Sequence, residues 1–137
     1  MKRLICAILF AAGCQLGHAA ELQIELQGVQ SSQGHLLLAV YDNAEGFRQM
    51  QKPRMATMQA AQTGVNQISL SLPPGDYAIS VFHDANDNRI MDRNPLGAPL
   101  EDYGFSNDAQ GQMGPPSFEA ARISLPQAGA KIQIKMH

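Results

Sequence analysis

At 137 residues the chain has room for one domain. Its formal net charge of −2 comes with no basic cluster and no Lys/Arg stripe, which argues against a nucleic-acid partner. Its two cysteines, Cys6 and Cys14, both lie in the leader described next, so a chain without that leader has no disulfide, thiol nucleophile, thiolate zinc site or thioether-linked haem.

The leader is MKRLICAILFAAGCQLGHAA. Lys2 and Arg3 precede an apolar run from Leu4 to Ala12, and small residues follow, the pattern of a secretory signal. The run is too short to span a bilayer as a helix, which takes about 20 residues. Cleavage after Ala19 puts Gly17 and Ala19 at the small positions, leaving residues 20–137 as one exported domain. Loss of Lys2 and Arg3 moves the net charge from −2 to −4. A second reading competes: Ala11-Ala12-Gly13-Cys14 resembles a lipobox, which would anchor the chain through a lipidated Cys14. No later segment has the length and hydrophobicity of a transmembrane helix.

Beyond the leader the chain is patterned as strands. Leu22, Ile24 and Leu26 alternate with Gln23, Glu25 and Gln27, which predicts a half-buried strand over 21–29. Ser31 to Gly34 is a turn cluster. HLLLAVYD, 35–42, is continuously apolar and predicts a central strand covered on both faces. Between Phe47 and Ala61 the pattern is weakest. Pro53 interrupts it, and RMATMQAA after the proline predicts a short helix or an irregular crossover. Ile68, Leu70 and Leu72 alternate again, and Pro73-Pro74-Gly75-Asp76 is a strong turn leading to the strand YAISVF, 77–82. This predicts a β-hairpin from Ile68 to Phe82. Phe118–Leu125 and Lys131–Met136 predict a final hairpin across 126–130. Short strands, Gly/Pro turns and no βαβ rhythm indicate an all-β fold, a single antiparallel β-sandwich of six to seven strands, transthyretin-like or immunoglobulin-like.

One segment departs from this regularity. After YAISVF the chain enters a long polar loop, 84–116, which holds six of the twelve acidic residues counted from Asp84 to Asp108. A loop of this length inside a small domain is functional or disordered, and its turn formers argue for order. Asp84, Asn86, Asn88 and Asp92 occupy positions 1, 3, 5 and 9 of a calcium-type loop, with the Ile90 carbonyl at position 7. Ca²⁺ is a hard cation that takes six to eight oxygens, which such spacing supplies from one turning segment. Two departures from the EF-hand form stand out: Arg89 replaces Gly at position 6, and Pro95 replaces Glu at position 12. Glu101, Asp102 or Asp87 would complete the shell, with Glu101 otherwise pairing with Arg89 or Arg93. The competing reading needs no cation, because Asp and Asn also order turns by bonding their own backbone.

Other chemistry is thinner. His83 beside Asp84 suggests a catalytic pair, but adjacent strand residues point to opposite faces. GFSND around Ser106 is not a nucleophile elbow. Met50, Met55 and Met58, with Met113, Met136 and His137, suggest copper, although Met is also a flexible core filler. His83, Tyr103, Phe105 and Asn107 are candidates for a recognition surface, with Tyr103 and Phe105 alternatively folding back as lids on the sheet.

The run LPPGDYAISVFHDANDNRIMDRNPLGAPLEDYGFSNDAQGQMGPPSFEAARISL resembles the bacterial domain-of-unknown-function family 2141. The resemblance rests on Leu72, Pro74, Gly75, Tyr77 and Ala78, then His83, Asp84, Asn86, Asn88 and Asp92. It continues through Gly97, Pro99 and Glu101, Tyr103 to Asn107, and Pro116 with Phe118. Arg89 departs from the Gly that members commonly carry. The resemblance implies a small exported β-protein and supplies no activity. The LPPG-x-Tyr turn also looks like that of transthyretin-like and carboxypeptidase-regulatory-like sandwiches, an analogy at the level of fold alone. Together these readings predict a non-enzymatic periplasmic or secreted binding module using loop 84–116, with Ca²⁺ as its cofactor and an envelope protein or ligand as its partner. The alternatives are a hydrolase-type envelope enzyme using His83 with a nearby carboxylate, and a purely structural envelope component.

Overall fold

The computed structural model describes residues 18–137; the signal-peptide and lipobox readings fall outside them. Eight strands and two short helices form two packed sheets. The three-stranded sheet has the order β4-β1-β8, with β1 Ala20–Val29, β4 Gly64–Leu72 and β8 Ala130–Lys135. The five-stranded sheet has the order β3-β2-β5-β6, built from β2 His35–Tyr41, β3 Met55–Ala60, β5 Gly75–Asp84 and β6 Tyr103–Phe105. Strand β7, Ile123–Leu125, pairs with the start of β5. All pairs are antiparallel except β1 with β8, which is parallel.

Period-two alternation builds the core. Leu22, Ile24 and Leu26 of β1, with Ile68, Leu70 and Leu72 of β4 and Ile134 of β8, face Leu36, Leu38 and Val40 of β2 and Tyr77, Ile79 and Val81 of β5. Each fully buried aliphatic side chain of this kind contributes about 1.5–3 kcal/mol. The β2 strand is internal, as its composition suggested, but its outward residues His35, Leu37 and Ala39 are only half-buried.

Three local expectations are corrected. The helix lies before Pro53, not after it: α1 is Ala44–Gln49, and RMATMQAA supplies β3. Asn43 caps α1 by accepting the Gly46 N–H at 2.8 Å. Positive φ at Met50 and Lys52 then turns the chain back towards the sheet. The segment from Ile68 to Phe82 is not a hairpin, since β4 and β5 lie in opposite sheets. The Pro73-Pro74 segment carries the chain from one sheet to the other, with the Tyr77 hydroxyl donating to Pro73 O at 2.6 Å. Nor is 118–136 a hairpin: α2, Phe118–Ala121, and β7 serve the five-stranded sheet while β8 joins the other. Phe47 of α1 packs edge-on to Tyr41, Phe105 and Phe118, so the two helices cover one end of the five-stranded sheet's outer face.

One flank of the sandwich is closed. Tyr103 and His137 exchange backbone hydrogen bonds at 3.1 and 2.9 Å, joining β6 to the residues just after β8. Gly104 permits this approach: a Cβ there would stand 2.7 Å from both Ile134 Cγ2 and Lys135 O. On the opposite flank, β3 and β4 are the outer strands of their sheets.

Candidate functional site

The long polar segment grows from the end of β5. Its root is a close backbone contact: Gly34, at φ +66°, lies where a Cβ would stand 2.0 Å from Asp84 O. The Asp84 side chain is buried, and its two carboxylate oxygens accept the N–H groups of Asn88 at 3.2 Å and Arg89 at 2.8 Å. Each Asn repeats the device one turn on. Asn86 accepts the N–H of Asn88 at 3.3 Å, and Asn88 accepts that of Ile90 at 3.0 Å. The alternate spacing of the sequence thus becomes a run of side-chain-to-backbone turns. Arg89 sits at φ +60°, the left-handed region that a side chain disfavours, at the position expected to make the sharp turn.

These turns converge on Asp92. The Asn86 amide donates to one Asp92 oxygen at 2.7 Å, and the Asn88 amide reaches both, at 2.8 and 3.1 Å. Glu101 closes the group from across the loop, its carboxylate accepting Asp92 N–H at 3.4 Å. Burial pushes the Glu101 carboxyl above its ordinary range, and the neighbouring charges of Asp92 and Asp84 add to the rise. Glu101 forms no ion pair with Arg89 or Arg93 among the described residues; Arg93 instead donates to Gly97 O at 2.9 Å. Between these elements the chain folds into a small finger. Leu100 N–H donates to Asp92 O at 2.8 Å, and Asn94 accepts the N–H groups of Leu96 at 2.9 Å and Ala98 at 3.0 Å.

Asp84, Asn86, Asn88, Asp92 and Glu101 therefore lie in one hydrogen-bonded loop. Among the described residues no three His, Cys, Asp or Glu side chains lie close enough to hold a metal by themselves. By residue type the donors suit a cation that takes amide and carbonyl oxygens, as Ca²⁺ does, more than a transition metal. Asn86 and Asn88 here turn their amide N–H groups to Asp92 and would have to swing their oxygens round to coordinate it. A carboxylate has about four lone-pair sites, so the two N–H contacts of Asp84 leave acceptor capacity free.

The other candidates have different positions. His83 is buried, not on a surface, with Nε2 2.6 Å from Gln33 O. Tyr103 and Phe105 belong to β6 and are half-buried, which divides the supposed single loop into 85–102 and 109–117. Asn107 ties α2 down, its amide donating to Arg122 O at 2.6 Å and Ala120 O at 3.3 Å. Ser106 is fully buried, accepting Ile79 N–H at 2.9 Å and donating to Ala121 O. Met55 and Met58 face opposite sides of β3, Met136 lies in the core and Met113 is exposed, so the methionines do not converge. Sequence reasoning missed Asn94, although an Asn before Pro95 is a turn signal. It also missed His35, whose Nδ1 meets Asp87 Oδ1 at 2.5 Å.

The architecture is that of an all-β sandwich with one side-chain-ordered loop at the end of its central β5 strand. The profile of the family described as "Uncharacterized protein conserved in bacteria (DUF2141)" matches residues 24–133, and the chain belongs to that family. No curated protein and no solved structure gives a significant match. No helix among the described residues is long and apolar enough to cross a membrane.

Proposed function

We propose that this chain is an exported, non-enzymatic binding module whose interaction surface is the segment 84–116, ordered by Ca²⁺. The observation that carries the reading is the exposure of Ile90, Leu96, Leu100 and Met113 at 65, 94, 65 and 107 %. Among the described residues, four of the six exposed large apolar side chains thus stand in this polar segment, the other two being Met58 and Val65. Ile90, Leu96 and Leu100 stand on the ordered segment 85–102 and Met113 on 109–117, and these exposed apolar groups are what the loops offer to a partner. Ca²⁺ is bound by Asp84, Asn86, Asn88, Asp92 and Glu101 with the Ile90 carbonyl. Its charge offsets the repulsion that Glu101 meets from Asp92 and Asp84.

The hydrolase alternative draws no support from His83, whose ring is buried against a backbone carbonyl while the neighbouring carboxylate holds loop N–H groups. Export rests on the leader, with anchoring through Cys14 as the alternative form. In either form the loop stands away from the point where the chain enters the domain. Ala20 begins β1 opposite Leu72, and Gly34, just past the far end of β1, touches Asp84. Ten strand residues separate those ends, about 33 Å of rise.

Thermal unfolding in EDTA and across a Ca²⁺ titration into the millimolar range tests the cation. Ligand at a hundredfold excess over Kd stabilises by roughly 2.7 kcal/mol, a rise in Tm of about 10 °C for a domain of this size. The rise should saturate and be absent in Asp92→Ala. A flat response in the parent chain sinks the calcium reading. A partner captured equally well by Leu96→Ser/Leu100→Ser sinks the assignment of the surface.

A further inference from the structure

The two flanks of the sandwich differ in a way that the loop does not explain. The closed flank, β6 against the end of β8, carries Lys131, Lys135 and Asp108, and Asp108 accepts Lys135 N–H at 2.9 Å. On the open flank, among the described residues, β3 pairs only with β2 and β4 pairs only with β1. Both therefore present a row of backbone N–H and C=O groups to the outside. Natural edge strands are usually blunted by Lys, Pro, inward charges, bulges or a covering segment. None of the first three is present in β3 or β4. From Met55 to Gly75 there is no Asp, Glu, Lys or Arg at all, and the prolines come only after β4 has ended. The irregular pairing near Gly28 places its extra residue on β1, leaving β4 itself regular.

We infer that this flank is a homodimer interface, formed by pairing β3 and β4 edge to edge with the same strands of a second copy. Antiparallel pairing of a strand with its own copy is self-complementary and needs only a two-fold axis. An axis normal to the sheets sets β3 against β3 and β4 against β4 together, because the two edges lie on one side of the sandwich. Charge favours a second copy as the occupant. Two acidic copies meet here without opposing like charges, whereas the loop end and the outer face of β1 carry carboxylates. The size is also sufficient. The longer edge has nine residues, about 30 Å, and two sheets packed about 10 Å apart give roughly 600 Å² per copy with their side chains. The total of about 1,200 Å² is at the lower end of stable interfaces. The corner at 61–63 is tied to the start of β4 by Asn66, which accepts Gln62 N–H at 3.1 Å and donates to Gln62 O at 2.7 Å, so the pairing is confined to the strand residues beyond it.

The test is sedimentation equilibrium of residues 20–137, the chain expected after cleavage at Ala19, which contain every strand of the described residues, from micromolar to several hundred micromolar, in EDTA and again in Ca²⁺. Dimerisation in both conditions is expected, which separates this inference from the calcium reading. Ser69→Lys and Met58→Lys should weaken the dimer at least tenfold, and Gln127→Lys should leave it unchanged. Hydrogen exchange of the parent chain supplies a readout free of folding artefacts. Amides in 55–60 and 64–72 should gain protection as concentration rises, and those of β6 and β8 should not. A monomer at every concentration overturns the inference. So does a dimer whose concentration-dependent protection lies elsewhere, or one that all three Lys variants weaken alike.

Discussion

The sandwich and the loop at its end are ordered by opposite means. In the sandwich, apolar side chains from two sheets exclude water and the backbone pairs with itself. In 84–101 the side chains themselves bond the backbone: Asp84, Asn86, Asn88 and Asn94 each accept main-chain N–H groups, and Ile90, Leu96 and Leu100 face solvent. Hydrophobic burial is cooperative over a whole core, whereas side-chain turns are local. The contrast implies that loop order can be changed by one residue or one cation with little effect on the core.

The largest expected effect falls on the core side of that division. Ile24 is fully buried, and Ile24→Ala should lower global stability by about 2–5 kcal/mol. Denaturant unfolding should show one transition at lower midpoint, with exchange of the loop amides through local opening unchanged. Gly34→Ala comes next, because it strikes where the regions touch. It places a Cβ against Asp84 O at a backbone angle of +66°, for a cost of roughly 2–4 kcal/mol. Both the unfolding midpoint and the loop amides should respond. If either is unmoved, the two regions are not coupled through this contact.

Asp84→Ala should act on the loop alone. It frees the N–H groups of Asn88 and Arg89, a loss of about 1–2 kcal/mol comparable to that of a helix cap. Amides between Asn86 and Leu100 should exchange faster while those of β1 and β2 keep their protection. A global fall as large as that of Ile24→Ala would erase the distinction. Arg89→Gly should run the other way. Relief of the left-handed conformation at Arg89 gains about 0.5–1 kcal/mol, seen as slower loop exchange and tighter Ca²⁺ binding by calorimetry.

The division also explains what the sequence revealed. Alternation reports which side chains face inward, and with the apolar runs of β2 and β5 it sufficed for the β1, β2, β4, β5 and β8 strands and for the sandwich class. It does not report which strand lies beside which. In a hairpin Leu72 and Tyr77 would line one face of one sheet. In the observed crossing they face each other from two sheets, and the same residues are buried in both cases. Pairing partners were therefore lost for 68–82 and for 118–136. The short strand β6 was hidden by its polar surroundings, since a three-residue strand has too little period to detect. The loop was easier to read, because Asx turns are set by near neighbours, and Asp84, Asn86 and Asn88 bond their own backbone as the reading without a cation expected. His83 was misjudged because its partner, Gln33 O, is distant in sequence, and the tie from Asn107 to Arg122 O was missed for the same reason.

The smallest expected effect bears on Glu101, whose carboxyl is held above its ordinary value of 4.5, by burial first and then by Asp92 and Asp84. A carboxyl whose pKa is raised on folding favours the protonated native state. Its contribution is fully present below the unfolded value and is lost as pH rises through the folded one. In EDTA, the difference in Tm between the parent chain and Glu101→Gln should therefore change as pH falls from neutrality towards the ordinary glutamate range. The Gln variant should be the more stable at neutral pH, and the gap should narrow on acidification as Glu101 takes up its proton. In saturating Ca²⁺ the order at neutral pH should reverse, because the carboxylate that burdens the cation-free loop then becomes a ligand. Parallel pH profiles in EDTA would show that Glu101 does not feel its neighbours. An unreversed order in Ca²⁺ would take it out of the cation's shell while leaving the rest of the loop's oxygens in place.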